Sequence, residues 1–224
     1  MEAAKILQEA GYNAFDADAG TYDAWYWAHP PMYFEKGMYL PLTEQLKKVA
    51  AVPVIVAGRM EDPDMALDAL KTGKLDAVGV GRQLLTDPEY VNKIMDDRLD
   101  DIRPCLGCHD GCIARMLEGG RGSCAVNPQC ARELMTAVNP TAVKKNVVVV
   151  GGGPAGMEAA RVSAMRGHSV TLFEAKDEIG GELLIGGTPP FKQDDIRLAK
   201  WYARQLDQLG VSVRIKLTGW LTVR

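Results

Sequence analysis

Apolar and polar positions fall into two successive α/β patterns, with a polar, cysteine-rich stretch between them. In residues 2–10, Ala3, Ile6, Leu7 and Ala10 share one face and Gly11 follows as a stop, which predicts the end of a helix. Residues 13–18 read as a short strand closed by Gly20. After a long loop, residues 42–50 read as a helix. Residues 52–56 and 75–80 are nearly continuous aliphatic runs of the kind found in parallel strands buried on both faces, so Val54, Ile55, Val56, Val78 and Val80 are expected inside. Asp62-Pro63 and Asp87-Pro88 each supply an N-cap and a first-turn proline to a following helix, and residues 71–74 form a turn.

The second pattern follows a polar linker at 139–145. It runs strand 146–150, helix to about Arg166, strand 169–173, helix 194–209 and strand 211–215. On the long helix Ile196, Leu198, Trp201, Tyr202, Leu206 and Leu209 lie mostly on one side. Strands alternating with helices predict parallel sheets in both halves.

Composition narrows the class only slightly. In 224 residues, 47% are hydrophobic, 25% are charged and the net charge is −3. These values suit a soluble globular protein and give no basic surface for nucleic acid. No apolar run reaches the roughly 20 residues that cross a bilayer, so no membrane partner is expected. Cysteine usage and the lack of a secretory leader point to a reducing cytoplasm. The chain begins inside an amphipathic pattern and ends at Arg224, just after a strand-like segment, so both ends are expected to be cuts.

The loop at 22–39 holds Tyr22, Trp25, Tyr26, Trp27, His29, Tyr33 and Phe34. It is too aromatic for disorder, and suits either the lining of a flat apolar pocket or a plug over a barrel end. The two aliphatic strands of the first half end alike, in Gly58-Arg59 and Gly81-Arg82. Glycine lets backbone amides approach an anion and arginine adds charge and a forked donor set, so the repeat predicts a phosphate site at the strand ends.

Four of the five cysteines lie within twenty residues, at Cys105, Cys108, Cys112 and Cys124. Disulfides need an oxidising compartment. Structural zinc usually takes two Cys-x2-Cys pairs or one pair with two histidines, whereas only His109 is near. Three clustered cysteines with a remote fourth, among many glycines, suit a [4Fe-4S] core better than zinc. His109 reads as a neighbour rather than a ligand, and Cys130 as a small buried residue.

Strand 146–150 runs into Gly151-Gly-Gly153-Pro-Ala-Gly156 at the start of a helix, and Glu174 ends the next strand. That context makes the glycines a dinucleotide fingerprint, with the pyrophosphate on the helix N-terminus and Glu174 on a ribose hydroxyl. A second pair, Gly180-Gly181, lies just beyond.

This order of motifs, with Val126-Asn127-Pro128 between the last cysteine and the glycine turn, resembles the NADH:flavin oxidoreductases related to old yellow enzyme. The likeness is to the branch with an iron–sulfur cluster, which includes dienoyl-CoA, 2-enoate and bile-acid-inducible enoate reductases and trimethylamine dehydrogenase. The resemblance implies an α/β chain. Residues 1–103 would be the C-terminal part of an FMN-binding TIM (β/α)8 barrel, 104–145 the cluster segment and linker, and 146–224 the incomplete first half of a Rossmann-like FAD domain. It further implies that Gly58, Arg59, Gly81 and Arg82 hold FMN phosphate, that Cys105, Cys108, Cys112 and Cys124 hold the cluster, and that Gly151, Gly153, Gly156, Glu174 and Gly181 hold FAD. NAD(P)H would be the reductant and the activated C=C bond of an enoate, enoyl-CoA or enone the substrate. The alternatives are an amine dehydrogenase or an electron-transfer fragment without turnover. The family's barrel front, its tyrosine acid and its NAD(P)H half have no counterpart here, and its loop histidine falls near Asp23, so no proton donor is assigned. His29 is only a polar group in an aromatic loop.

Overall fold

The computed structural model describes residues 1–217; the end of the chain at Arg224 lies outside the described residues. The chain divides into two compact units. The first comprises Met1–Leu99 with Gly107–Asn127, and the second comprises Asp100–Leu106 with Pro128–Arg224. The cysteine-rich segment is thus shared between them.

The first unit carries a parallel sheet in the order β1 (Phe15–Asp16), β2 (Val54–Ala57), β3 (Ala77–Gly79), with Phe15 opposite Val54 and Val56 opposite Val78. Its helices are α1 (Glu2–Glu9), α2 (Trp25–Ala28), α3 (Leu40–Lys47), α4 (Pro63–Lys71), α5 (Arg82–Thr86), α6 (Tyr90–Met95) and α7 (Arg115–Leu117). Strand β2 consists of β-branched residues followed by alanine, and buries Val54 and Val56 completely while Ile55 is half-buried. The core of this unit gathers Tyr39, Val56, Met60, Ala69 and Leu75. Removing a side chain of this size from water contributes about 1.5–3 kcal/mol. Helix α4 starts as its sequence requires: the Asp62 carboxylate accepts the Met65 amide at 3.2 Å and Pro63 fills the first helical position.

On α1, Ile6 and Leu7 are exposed and only Ala4 is buried. Two expectations need correction. The aromatic stretch is not all loop. A 3-10 turn at Tyr22–Ala24 leads into α2. Asp87 does not cap α6, which begins at Tyr90; its buried carboxylate instead accepts the Glu89 amide at 3.2 Å and pairs with Lys93 at 2.6 Å. A charge partner satisfies the buried acid without a helix start.

The second unit holds a parallel sheet in the order β4 (Asn146–Val150), β5 (Ser169–Phe173), β6 (Ser212–Arg214). Helix α8 (Pro154–Met165) connects β4 to β5, and α9 (Glu182–Gly186) and α10 (Gln193–Gln208) precede β6. Helix α8 packs on β4, β5 and α10. Its Met157 and Ala160 and the Leu198, Trp201, Tyr202 and Leu206 of α10 are buried, whereas Leu209 at the end of the predicted stripe is exposed. Trp201 also fastens residues 100–106 to this unit. Its indole N–H donates to the Asp101 carbonyl at 2.9 Å and the Arg103 guanidinium lies 4.5 Å over its ring. On β4, Val148 and Val150 face outward.

Candidate flavin and cysteine-loop sites

The glycine turn lies between β4 and α8, and each of its three fingerprint glycines is required for a different reason. Gly151 has φ of +100°, a region open to glycine and costly for other residues. At Gly156 a Cβ would strike the Gly151 carbonyl oxygen. At Gly153, the N-cap of α8, a Cβ would meet nothing within 4 Å, so fold packing does not demand this glycine. An open surface beside the free amides of a twelve-residue helix suits an anion.

The acid predicted at the end of β5 is tied to this turn. Glu174 accepts the Gly152 amide at 2.6 Å on one oxygen and the Lys176 amide at 2.8 Å on the other. Those bonds, that from Lys176 foremost, hold its carboxyl below the usual range. The second glycine pair completes the arrangement: the Gly180 amide donates to Gly152 at 2.7 Å, and a Cβ on Gly181, whose φ is +55°, would come 2.9 Å from the Gly153 Cα. Gly151, Gly153, Gly156, Glu174 and Gly181 are therefore brought together, and they fit the adenine-dinucleotide end of FAD.

In the first unit the two Gly-Arg pairs differ in conformation. Arg59 is buried with φ of +55°, and its Nε lies 3.1 Å from Glu61. Gly58, with φ of +120°, sits under the Tyr39 ring. Arg82 is instead the first residue of α5. Its Nη1 donates to the Pro30 carbonyl at 2.8 Å and contacts Nε2 of His109. Gly81 is open on its Cβ side. Both arginines lie near His109, whose pKa burial above all, then Arg82 and His29, push down to about 4. A neutral imidazole accepts from Arg82 on Nε2, and the Pro30 carbonyl that takes the same Arg82 Nη1 also bonds the ring. In sequence His109 is only a neighbour of the cysteines, and nothing in its spacing discloses a partner 27 positions away. The basic groups at the ends of β2 and β3 fit a phosphate in charge.

The cysteine loop is shaped by backbone. Gly107 and His109 both have φ of +63°, and Asp110–Ala114 forms a single π-helical turn. A Cβ on Gly111 would meet the Ser123 carbonyl at 2.9 Å and Cys124 backbone at 3.0 Å, and the Ser123 amide donates to Gly111 at 2.8 Å. The remote fourth cysteine is folded back on the loop by that contact. Burial above all raises the Cys108 thiol, with smaller contributions from Cys112 and Cys124. Cys105 belongs to the 100–106 segment. Among the described residues no disulfide joins the cysteines, Cys130 is buried, and no three His, Cys, Asp or Glu side chains form a metal-holding group. The donor set, soft thiols alone, suits an iron–sulfur core in its chemistry.

These features define a class, the flavin-dependent oxidoreductases. Residues 146–214 match the FAD dependent oxidoreductase family, and residues 2–101 match the NADH:flavin oxidoreductase / NADH oxidase family. The chain belongs to the NADH:flavin oxidoreductase / NADH oxidase family. It is 52% identical over 217 residues to a cinnamate reductase of Clostridium sporogenes, covering 97% of this chain and 33% of that protein. Among solved structures it is similar to a 2-naphthoyl-CoA reductase in complex with 2-naphthoyl-CoA, with a TM-score of 0.92, 34% identity, and 97% of this chain and 34% of that one covered. It is also similar to a histamine dehydrogenase from Rhizobium sp. 4-9, with a TM-score of 0.86, 28% identity, and 97% and 32% covered. The chain thus spans about a third of the length of the proteins it matches.

Proposed function

We propose that these residues belong to an NAD(P)H-dependent flavin and iron–sulfur reductase that saturates the activated C=C bond of an enoate, enoyl-CoA or enone. In this reading the first unit is the C-terminal end of a TIM barrel and the second the first half of a Rossmann-like FAD domain. Gly58, Arg59, Gly81 and Arg82 hold the FMN phosphate by charge and backbone amides. Gly151, Gly153, Gly156, Glu174 and Gly181 hold the adenine dinucleotide of FAD. Cys105, Cys108, Cys112 and Cys124 hold a [4Fe-4S] cluster. When bound, these groups carry electrons from NAD(P)H to the alkene. Cysteines outside any disulfide suit a reducing cytoplasm.

The observation that carries the flavin assignment is the glycine turn, open at Gly153 and tied to Glu174. The substrate class is supported by the 52% identity to a cinnamate reductase, whose named substrate is an enoate. A second reading, an amine dehydrogenase, is favoured by the likeness to a histamine dehydrogenase. Anaerobic incubation with NADH and cinnamate of a full-length protein carrying these residues separates them. The proposal expects an acid heavier by two hydrogens. Oxidation of histamine or trimethylamine with no alkene reduction would establish the second reading instead.

A further inference from the structure

Residues 100–106, which lead into the cysteine loop, are held to the second unit by a sheltered joint. Trp201 of α10 is buried, and its indole N–H donates to the Asp101 carbonyl, 100 positions earlier in the chain, at 2.9 Å. The Arg103 guanidinium lies 4.5 Å from the centre of the same ring. Two further bonds to this segment are exposed: the Asp101 carboxylate accepts Arg204 at 2.8 Å and Gln208 at 2.9 Å. Water competes for such bonds and salt screens the charged one, so they add little. The indole bond and the cation–π contact are the main interactions that the segment must break to leave.

Trp201 is itself held from the side of the glycine turn. The Arg161 guanidinium of α8 is buried and lies 5.6 Å from the centre of the Trp201 ring. Its position is fixed, because its Nε and Nη2 both donate to the Glu158 carboxylate at 2.8 Å. Glu158 and Arg161 lie in the first eight residues of α8, whose N-cap is Gly153. One ring thus joins the helix that opens at the glycine turn to residues 100–106. A ligand that binds a folded element makes every opening that disrupts this element rarer. FAD at the N-terminus of α8 therefore steadies the helix, the Arg161–Glu158 pair and the ring they support. We infer that residues 100–106 respond to occupancy of the dinucleotide site through Trp201: they are held when FAD is bound and open more often when it is absent. The inference rests on the assignment of the glycine turn to FAD.

Hydrogen exchange read by mass spectrometry tests this on a full-length protein carrying these residues, with its FAD and after FAD is removed. In wild type, removal of FAD is expected to speed exchange roughly tenfold or more in α8 and in residues 100–106, and to leave α4 of the first unit unchanged. Trp201→Phe keeps a ring and deletes the N–H donor. Its α8 is expected to respond to FAD as before, while residues 100–106 exchange fast in both states. A wild type whose α8 responds to FAD and whose residues 100–106 do not would overturn the inference and leave the FAD site standing. Equal acceleration in α4 would contradict it as well, since the effect would then be global. An α8 indifferent to FAD would remove the FAD assignment, and this inference with it. If Trp201→Phe does not fold, Arg103→Met replaces it and alters the joint from the segment side alone. In either variant, a response of residues 100–106 as large as in wild type would refute the role of Trp201.

Discussion

At Gly153 the fold leaves space that no protein atom uses, while at Gly156 it leaves none. The two glycines therefore separate ligand from fold. Gly153→Val is expected to lower FAD affinity at least tenfold, because the side chain occupies the path of the pyrophosphate, with little change in the denaturation midpoint. Gly156→Val is expected to lower that midpoint, because its Cβ collides with the Gly151 carbonyl. Flavin fluorescence and urea unfolding on both variants check the contrast; equal FAD binding by wild type and Gly153→Val would refute the site. Glu174 gives a pH signature. Its folded pKa is depressed by the Lys176 and Gly152 amides, so its contribution to stability is present above the unfolded carboxylate value of about 4.3 and is lost as pH falls through the lower folded value. The stability gap between wild type and Glu174→Gln is expected to be largest near neutral pH and to close on acidification, as measured by urea midpoints from pH 7 to pH 3.

At the scale of elements, the sequence specified a great deal and failed in identifiable places. Strands β4 and β5 occupy the predicted 146–150 and 169–173, because an aliphatic run bounded by turn residues leaves few alternatives. Helix α4 begins where Asp62-Pro63 puts it. The same dipeptide at Asp87-Pro88 misled, because Lys93 offered the buried carboxylate a stronger partner than the amides of α6. The two Gly-Arg pairs looked equivalent in sequence, yet tertiary partners put Arg59 in a left-handed conformation beside Glu61 and Arg82 at a helix start beside Pro30 and His109. The glycines of the dinucleotide turn were evident because backbone geometry demands glycine itself. The contact of the Thr86 hydroxyl with Cys124 at 3.4 Å and the bond from the Asn127 amide to the Leu85 carbonyl at 2.8 Å were not, since each joins residues far apart in the chain. The capping argument has its own test. Asp62→Ala is expected to cost about 1 kcal/mol in urea unfolding, whereas Asp62→Ser is expected to cost little.

For the whole molecule, the decisive quantity is the fraction of the catalytic assembly that these residues supply. A βα barrel closes with eight strands, and the sheet described in the first unit has three. The described residues offer Arg59 and Arg82 for a phosphate but no barrel interior around a flavin ring. The 224 residues alone are therefore expected to show no NADH-dependent reduction of cinnamate or of a 4-en-3-one steroid, and turnover by the purified chain would contradict this. A protein that joins these residues to the rest of a full-length relative's barrel and dinucleotide half is expected to unite both flavins and the cluster in one electron path. Cofactor content after anaerobic purification tests that claim most directly. One FMN, one FAD and about four irons with matching acid-labile sulfide per polypeptide are predicted. One zinc without sulfide, or protein without flavin, would contradict it.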